Sequence, residues 1–153
     1  MINLAKFNLL EKSCLSCTKC SLSKERINVV FGRGNPKAKI LIIGEGPGQQ
    51  EDEQGLAFVG RAGKMLDKSF LSVGIDTNMD CYISNIVKCR PPKNRKPKNN
   101  EVENCITWLS DQIELINPKI IVLAGSTAVQ SYLNINQPIS KIRGKWIKKD
   151  GIK

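Results

Sequence analysis

Residues 39–50 read KILIIGEGPGQQ. The run Lys39–Ile43 is short, continuous and rich in β-branched side chains, the pattern of a strand buried on both faces of a parallel sheet. Gly44, Gly46 and Gly48 then form a loop where a strand hands over to a helix. Two more runs repeat the theme, Cys81–Val87 (CYISNIV) and Lys119–Ala124 (KIIVLA). Apolar residues at helical spacing lie between them. They cover Arg61–Val73, which stops at Gly74, and Asn100–Ile116, which Asn117-Pro118 closes. GST opens another helix over Ala128–Leu133, and Ala5–Glu11 has helical spacing ahead of a cysteine-rich turn. Asn28–Phe31 reads as an extended piece ended by the turn signal GRGNP. Strands alternating with helices predict an α/β fold, a three-layer α/β/α sandwich around a central, mostly parallel sheet. Ligands of such sheets bind beyond the carboxyl ends of the strands. GEGPG, Asn85–Cys89 and GST all fall there. The 153 residues suit one domain, and no repeat or internal boundary is visible.

The formal charge is +10, which predicts attraction to polyanions, nucleic acid first among them. Half of the 24 lysines and arginines fall in two segments. One holds Lys88, Arg90, Lys93, Arg95, Lys96 and Lys98; the other holds Lys141, Arg143, Lys145, Lys148, Lys149 and Lys153. Such clustering favours a charged binding face over a merely solvated surface. The N-terminus has no apolar core of a secretory signal, and the longest apolar runs are too short to span a bilayer. A cytoplasmic monomer is expected, with no membrane partner.

Three motifs carry chemistry. The glycine loop is a weak dinucleotide signal: Pro47 sits inside it, and Glu51-Asp52-Glu53 would repel a pyrophosphate. It is either a structural turn or a floor where backbone approaches a flat ligand. The six cysteines, in a chain without histidine, point to metal ligands more than to disulfides. Cys14, Cys17 and Cys20 form C-x-x-C-x-x-C, with Cys89 and Cys105 far downstream. Four thiolates in two pairs suit zinc or a [4Fe–4S] cluster, and spacing alone leaves open which metal and which two of the first three cysteines. Asn85 interrupts an apolar strand, which is costly unless its amide is satisfied. It either bonds a neighbouring loop or offers an acceptor and a donor side by side, matching N3–H and O4 of uracil. Phe58 is either a core side chain or a stacking platform. Arg61 and the amides around Gly63 suit a phosphate.

GEGPGQQEDEQGLAFVGRAGKMLD (44–67), YISNIVKCRPPKNR (82–95), LAGSTA (123–128) and IRGKW (142–146) together resemble, in order, the motifs of the family 4 uracil-DNA glycosylases. The resemblance implies hydrolysis of the N-glycosidic bond of uracil in DNA, as base-excision repair, with a structural [4Fe–4S] cluster. It implies that Cys17, Cys20, Cys89 and Cys105 are the ligands, leaving Cys14 as an extra thiol. Asn85 would read uracil, Phe58 would stack on it, and amides around Gly46, Gly48, Gln49 and Gln50 would bind the pyrimidine oxygens. Glu45 would help position the attacking water, and Glu51 would stand against a thymine methyl. Arg61, Lys64, Arg90, Lys93, Arg95, Lys96 and Arg143 would face DNA. The family also carries a His-Pro motif after the segment that here reads RGKWIKKDGIK. The chain given lacks it, so a C-terminally incomplete domain of weak or no activity is expected. The alternative is a non-catalytic iron–sulfur module that only binds nucleic acid.

Overall fold

The computed structural model describes residues 2–153. Its sheet holds β1 (Arg33–Gly34), β2 (Ile40–Gly44), β3 (Cys81–Asn85) and β4 (Ile120–Leu123), in the order β1-β3-β2-β4. β2 runs parallel to both β3 and β4, and β1 is antiparallel to β3. The helices are α1 (Leu4–Leu15), α2 (Gln49–Gln54), α3 (Arg61–Leu71), α4 (Asn99–Ile116), α5 (Ser126–Leu133) and α6 (Ile139–Ile142).

β2 shows why layers form. Alternate strand residues point to opposite faces. Leu41 and Ile43 pack with Phe7 of α1 and with Leu109 and Ile116 of α4, whereas Ile42 packs with Ile83 and with Leu66 and Phe70 of α3. The three central residues of β2 are fully buried, and each such side chain contributes about 1.5–3 kcal/mol. Helices therefore cover both faces, as an α/β sandwich requires.

Several local details depart from the expected elements. The first helix continues through Cys14, so that cysteine sits in its last turn rather than in a turn region. Residues Asn28–Phe31 form no strand; the Val30 amide instead donates to the Lys88 carbonyl at 2.7 Å, and Val30 and Phe31 are buried. The GRGNP segment expected as a turn supplies β1, with Gly34 at φ +102° and too close to the Cys81 carbonyl to carry a side chain. The acidic run after the glycine loop is helical as α2. No helix among the described residues is long and apolar enough to cross a membrane. At the outer edge of β4, the Ile121 amide donates to the Lys153 carbonyl at 2.7 Å, beside an apolar groove of about 410 Å³.

Candidate functional site

The parallel register sets Gly44, the last residue of β2, opposite Asn85, the last residue of β3. Asn85 is 1% exposed, and its Oδ1 is buried without a hydrogen-bond partner. A buried acceptor left unpaired costs about 1–3 kcal/mol, so this atom awaits a donor. The Phe58 ring lies beside it. A Cβ built on Gly44 would stand 2.5 Å from the ring and 2.6 Å from Asn85 Oδ1, so glycine is required for the two to meet there. Phe58 is half-buried and holds a left-handed backbone, φ +54°, which an aromatic residue adopts only under constraint. Arg33, outside the expected set, and Gly63, expected only near a phosphate, impose it. Arg33 donates from Nε to the Ala57 carbonyl at 2.7 Å and from Nη2 to the Phe58 carbonyl at 3.2 Å, while pairing with Asp67 at 2.7 Å. Gly63, at the start of α3, leaves the Phe58 carbonyl room that any side chain would take. Arg33 stood inside an apparent turn, and no sequence signal marked it.

The three strand ends meet here. The Ile86 and Val87 amides donate to the carbonyls of Gly44 and Glu45, at 2.9 and 3.1 Å. Gly46 lies against Val87, where a Cβ would come within 2.7 Å of Cγ2. The buried Thr127 hydroxyl, from the GST segment after β4, donates to Glu45 Oε2 and orients that carboxylate. Sequence marked the segment as a strand end but not Thr127 itself. Glu51, expected beside a thymine methyl, is an anchor for the surrounding backbone. It accepts from the Gly48 amide at 3.1 Å, Val59 at 3.0 Å and Gly60 at 2.7 Å, joining the N-termini of α2 and α3. The Gly48 amide is thereby occupied, whereas Gln49 and Gln50 stand exposed in the first turn of α2. Asp52 is also structural, its buried carboxylate accepting from the Ile27 and Asn28 amides at 2.9 and 3.1 Å.

Five of the six cysteines line one cavity: Cys14, Cys17, Cys20, Cys89 and Cys105. Cys81 lies apart, in the core of the other sheet face. Three N–H groups point at the cavity's sulfurs. Trp108 Nε1 donates to Cys17 at 3.4 Å, the Lys88 amide to Cys105 at 3.2 Å and Arg26 Nη1 to Cys89 at 3.4 Å. Burial raises the Cys14 thiol to about 12 and the Cys89 thiol to about 11, so an unpaired thiolate is disfavoured there. No three Cys, His, Asp or Glu side chains among the described residues gather closely enough to hold one ion; the cysteines surround a cavity instead.

The basic residues divide. Arg61, Lys64, Lys93 and Lys96 are exposed, and Arg90 is half-buried with its Nε donating to Asn94 at 2.7 Å. Pro91 sits beside Gly46, so the loop begins next to the glycine floor. Two residues counted with it are held by partners. Arg95 forks onto the fully buried Glu101 at 2.7 and 2.8 Å while its side chain stays 34% exposed. That pairing, with help from the Lys98 amide, holds the Glu101 carboxyl down near 2. Lys88 is fully buried. Burial pushes its ammonium down to about 8, against the pull of the Cys105, Cys14 and Cys89 sulfurs. Arg143 is exposed but rims the apolar groove along β4, which none of the other expected site residues lines.

Comparison with known proteins identifies the family of the chain. The profile of the Uracil DNA glycosylase superfamily matches residues 31–152. A type-4 uracil-DNA glycosylase of Archaeoglobus fulgidus is 44% identical over 138 residues, 88% of this chain and 69% of the relative. The type-4 enzyme of Thermotoga maritima is 46% identical over 129 residues, 84% of this chain and 67% of the relative. That of Saccharolobus solfataricus is 43% identical over 144 residues, 91% and 66% of the two chains. The match thus spans about two thirds of each relative's length.

Proposed function

This chain belongs to the Uracil DNA glycosylase superfamily, and from that premise we propose that it releases uracil from DNA by hydrolysing the N-glycosidic bond. The single observation that carries the reading is the orphaned Asn85 Oδ1 beside Phe58. An unpaired buried acceptor calls for a donor, and N3–H of uracil is one. The adjacent amide NH₂ group of Asn85 then meets O4. Cytosine reverses both polarities and would leave the buried acceptor facing a lone pair, the kind of mismatch that rejects a ligand most strongly.

The base must leave the stack to reach a side chain so deeply set, which favours unpaired or mispaired uracil. Phe58 supplies a rigid face for the extruded ring. Glu45, held by Thr127, positions a water on the sugar side. The C1′–N1 bond breaks as the water oxygen bonds to C1′ through an oxocarbenium-like transition state, the electron pair leaves with uracil as an anion, and the proton released by the water passes to the Glu45 carboxylate. Asn85 and the amides of the glycine loop stabilise that charge. Arg61, Lys64, Arg90, Lys93 and Lys96 contact the phosphates, with Arg143 at a more distant point.

The cysteine cavity fits a [4Fe–4S] cluster by its donor set: all sulfur, with N–H groups aimed at three of the sulfurs. Cys17, Cys20, Cys89 and Cys105 would hold it, with Cys14 as a neighbouring free thiol. The cluster supplies a structural tie, and its iron replaces the protons that burial would otherwise keep on the thiols. The whole acts as one domain, a cytoplasmic monomer working on uracil-containing DNA.

Single-turnover release of uracil from a single-stranded oligonucleotide tests the reading. Asn85→Ala should slow release by about 10²–10³-fold while leaving affinity for uracil-free DNA unchanged. Release at the parent rate by that variant would sink the assignment. A parent chain that binds the oligonucleotide and frees no base would favour the alternative, a non-catalytic iron–sulfur module that only binds nucleic acid.

A further inference from the structure

Lys88 has no obvious counter-charge. Its three ammonium hydrogens meet Ser84 Oγ at 2.5 Å, the Asn85 carbonyl at 2.9 Å and Gln112 Oε1 at 2.6 Å, all neutral acceptors. The ion pairs among the described residues are Arg33–Asp67 and Arg95–Glu101, and neither includes it. Buried cations are retained only beside an anion. The ionisable groups that face Lys88 are the sulfurs of Cys105, Cys14 and Cys89; its own amide donates to Cys105, and the residue lines the cysteine cavity. Four thiolates on a cluster core leave a net negative charge. The missing anion is therefore the metal–thiolate centre itself.

The far end of the same side chain grips the residue that reads the base. Gln112 braces the arrangement from α4, donating from Nε2 to the Phe31 carbonyl at 2.9 Å. We propose that Lys88 is a positioning residue linking the two sites: the metal–thiolate centre balances its ammonium, and the ammonium fixes the Asn85 carbonyl, and with it the carboxamide, at the end of β3. The cluster then governs base discrimination without touching the base. This rests on the reading of Asn85 given above.

The test uses the iron-loaded 153-residue chain and its Lys88→Met and Lys88→Gln variants. Two quantities are measured: binding preference for a uracil-containing over a cytosine-containing single-stranded oligonucleotide, and the reduction potential of the bound cluster. Lys88→Met should retain iron, lose at least about tenfold of the preference and shift the potential to more negative values, because a buried positive charge beside the cluster is gone. Lys88→Gln keeps a donor for the Asn85 carbonyl but no charge, so it should recover part of the preference while its potential stays shifted. Parent-like preference and potential in Lys88→Met would overturn the proposal. Should both variants lose iron, the parent decides: removing its iron with a chelator should abolish the preference, and an unchanged preference would overturn the link. Asn85→Ala separates the two claims. If that variant keeps the preference, the base-reading assignment fails; if it loses the preference while Lys88→Met does not, only the link fails.

Discussion

The two cationic segments carry six basic residues each and fold into different surroundings. In the loop from Lys88 to Lys98, one cation is buried against sulfurs and another is neutralised by Glu101; a third, Lys96, reaches Gln130 of α5 at 3.4 Å. Arg26 donates to the Cys89 sulfur at 3.4 Å, and the Lys88 amide donates to the sulfur of Cys105, within α4, at 3.2 Å. In the segment from Lys141 to Lys153, Lys141, Arg143, Lys145 and Lys148 stand exposed, and Trp146 is 74% exposed among them. Lys149 alone is tethered, its ammonium donating to the Tyr132 carbonyl and lying 4.6 Å over that ring. The first segment begins next to the glycine loop, where Pro91 lies beside Gly46, and the second is the rim of an apolar groove along β4. Charge density along a chain says that a polyanion will be attracted, but partners decide which charges remain to meet it.

The largest way to break this contrast is to unfasten the loop. Replacing Cys89 or Cys105 by serine should empty the cluster and lower stability by about 5 kcal/mol or more, since a structural metal site contributes its binding energy to folding. Cys14→Ser should keep the iron. Iron content and thermal unfolding read both outcomes, and a Cys14→Ser chain without iron would reassign the ligands.

A smaller effect is expected at the ion pair inside the loop. Glu101→Gln removes the carboxylate that accepts the Arg95 fork and the Lys98 amide and should lower stability at neutral pH, by less than a fully buried pair would because Arg95 is 34% exposed. The sign of the pH dependence follows from the depressed carboxyl. Its stabilisation is present above the ordinary carboxylate value of 4.5 and is lost as pH falls from there toward 2. Denaturant titrations of parent and variant should therefore converge at the acid end, and a constant gap down to pH 2 would contradict the pairing.

The smallest effect sharpens the contrast most directly. Lys93→Ala and Lys96→Ala should each flatten the salt dependence of single-stranded DNA binding by roughly 0.7 in log–log slope. Lys145→Ala and Lys148→Ala should leave it unchanged. Equal slopes for both pairs would show that the two segments contact DNA alike.

Much of the framework was readable before any coordinates. β2, β3 and β4 each came from a continuous apolar run, and α3 and α4 from helical spacing, because burial on a sheet or under a helix imposes a period on the side chains themselves. β1 was not readable. Two residues carry no period, and they form a strand only because β3 offers them unpaired amides and carbonyls. The site divides in the same way. Asn85 was conspicuous because a carboxamide in an apolar strand is costly anywhere. Arg33 and Thr127 were not, since their importance lies in reaching the Phe58 carbonyl and the Glu45 carboxylate across the fold. Glu51 was legible as an acid near the glycine loop but not as the shared anchor of two helix starts.

Sequence by itself determined the layered α/β fold, the family, and the residue types gathered at the strand ends and among the cysteines, all of which depend on local pattern and side-chain chemistry. Tertiary structure alone decided that Lys88 turns inward, that Arg95 is matched by Glu101, that Cys14 lines the same cavity as its neighbours and that Asn85 Oδ1 lacks a donor. Each of these depends on what lies within a few ångströms through space, and hydrogen bonds and ion pairs are made by that distance, whatever the separation along the chain.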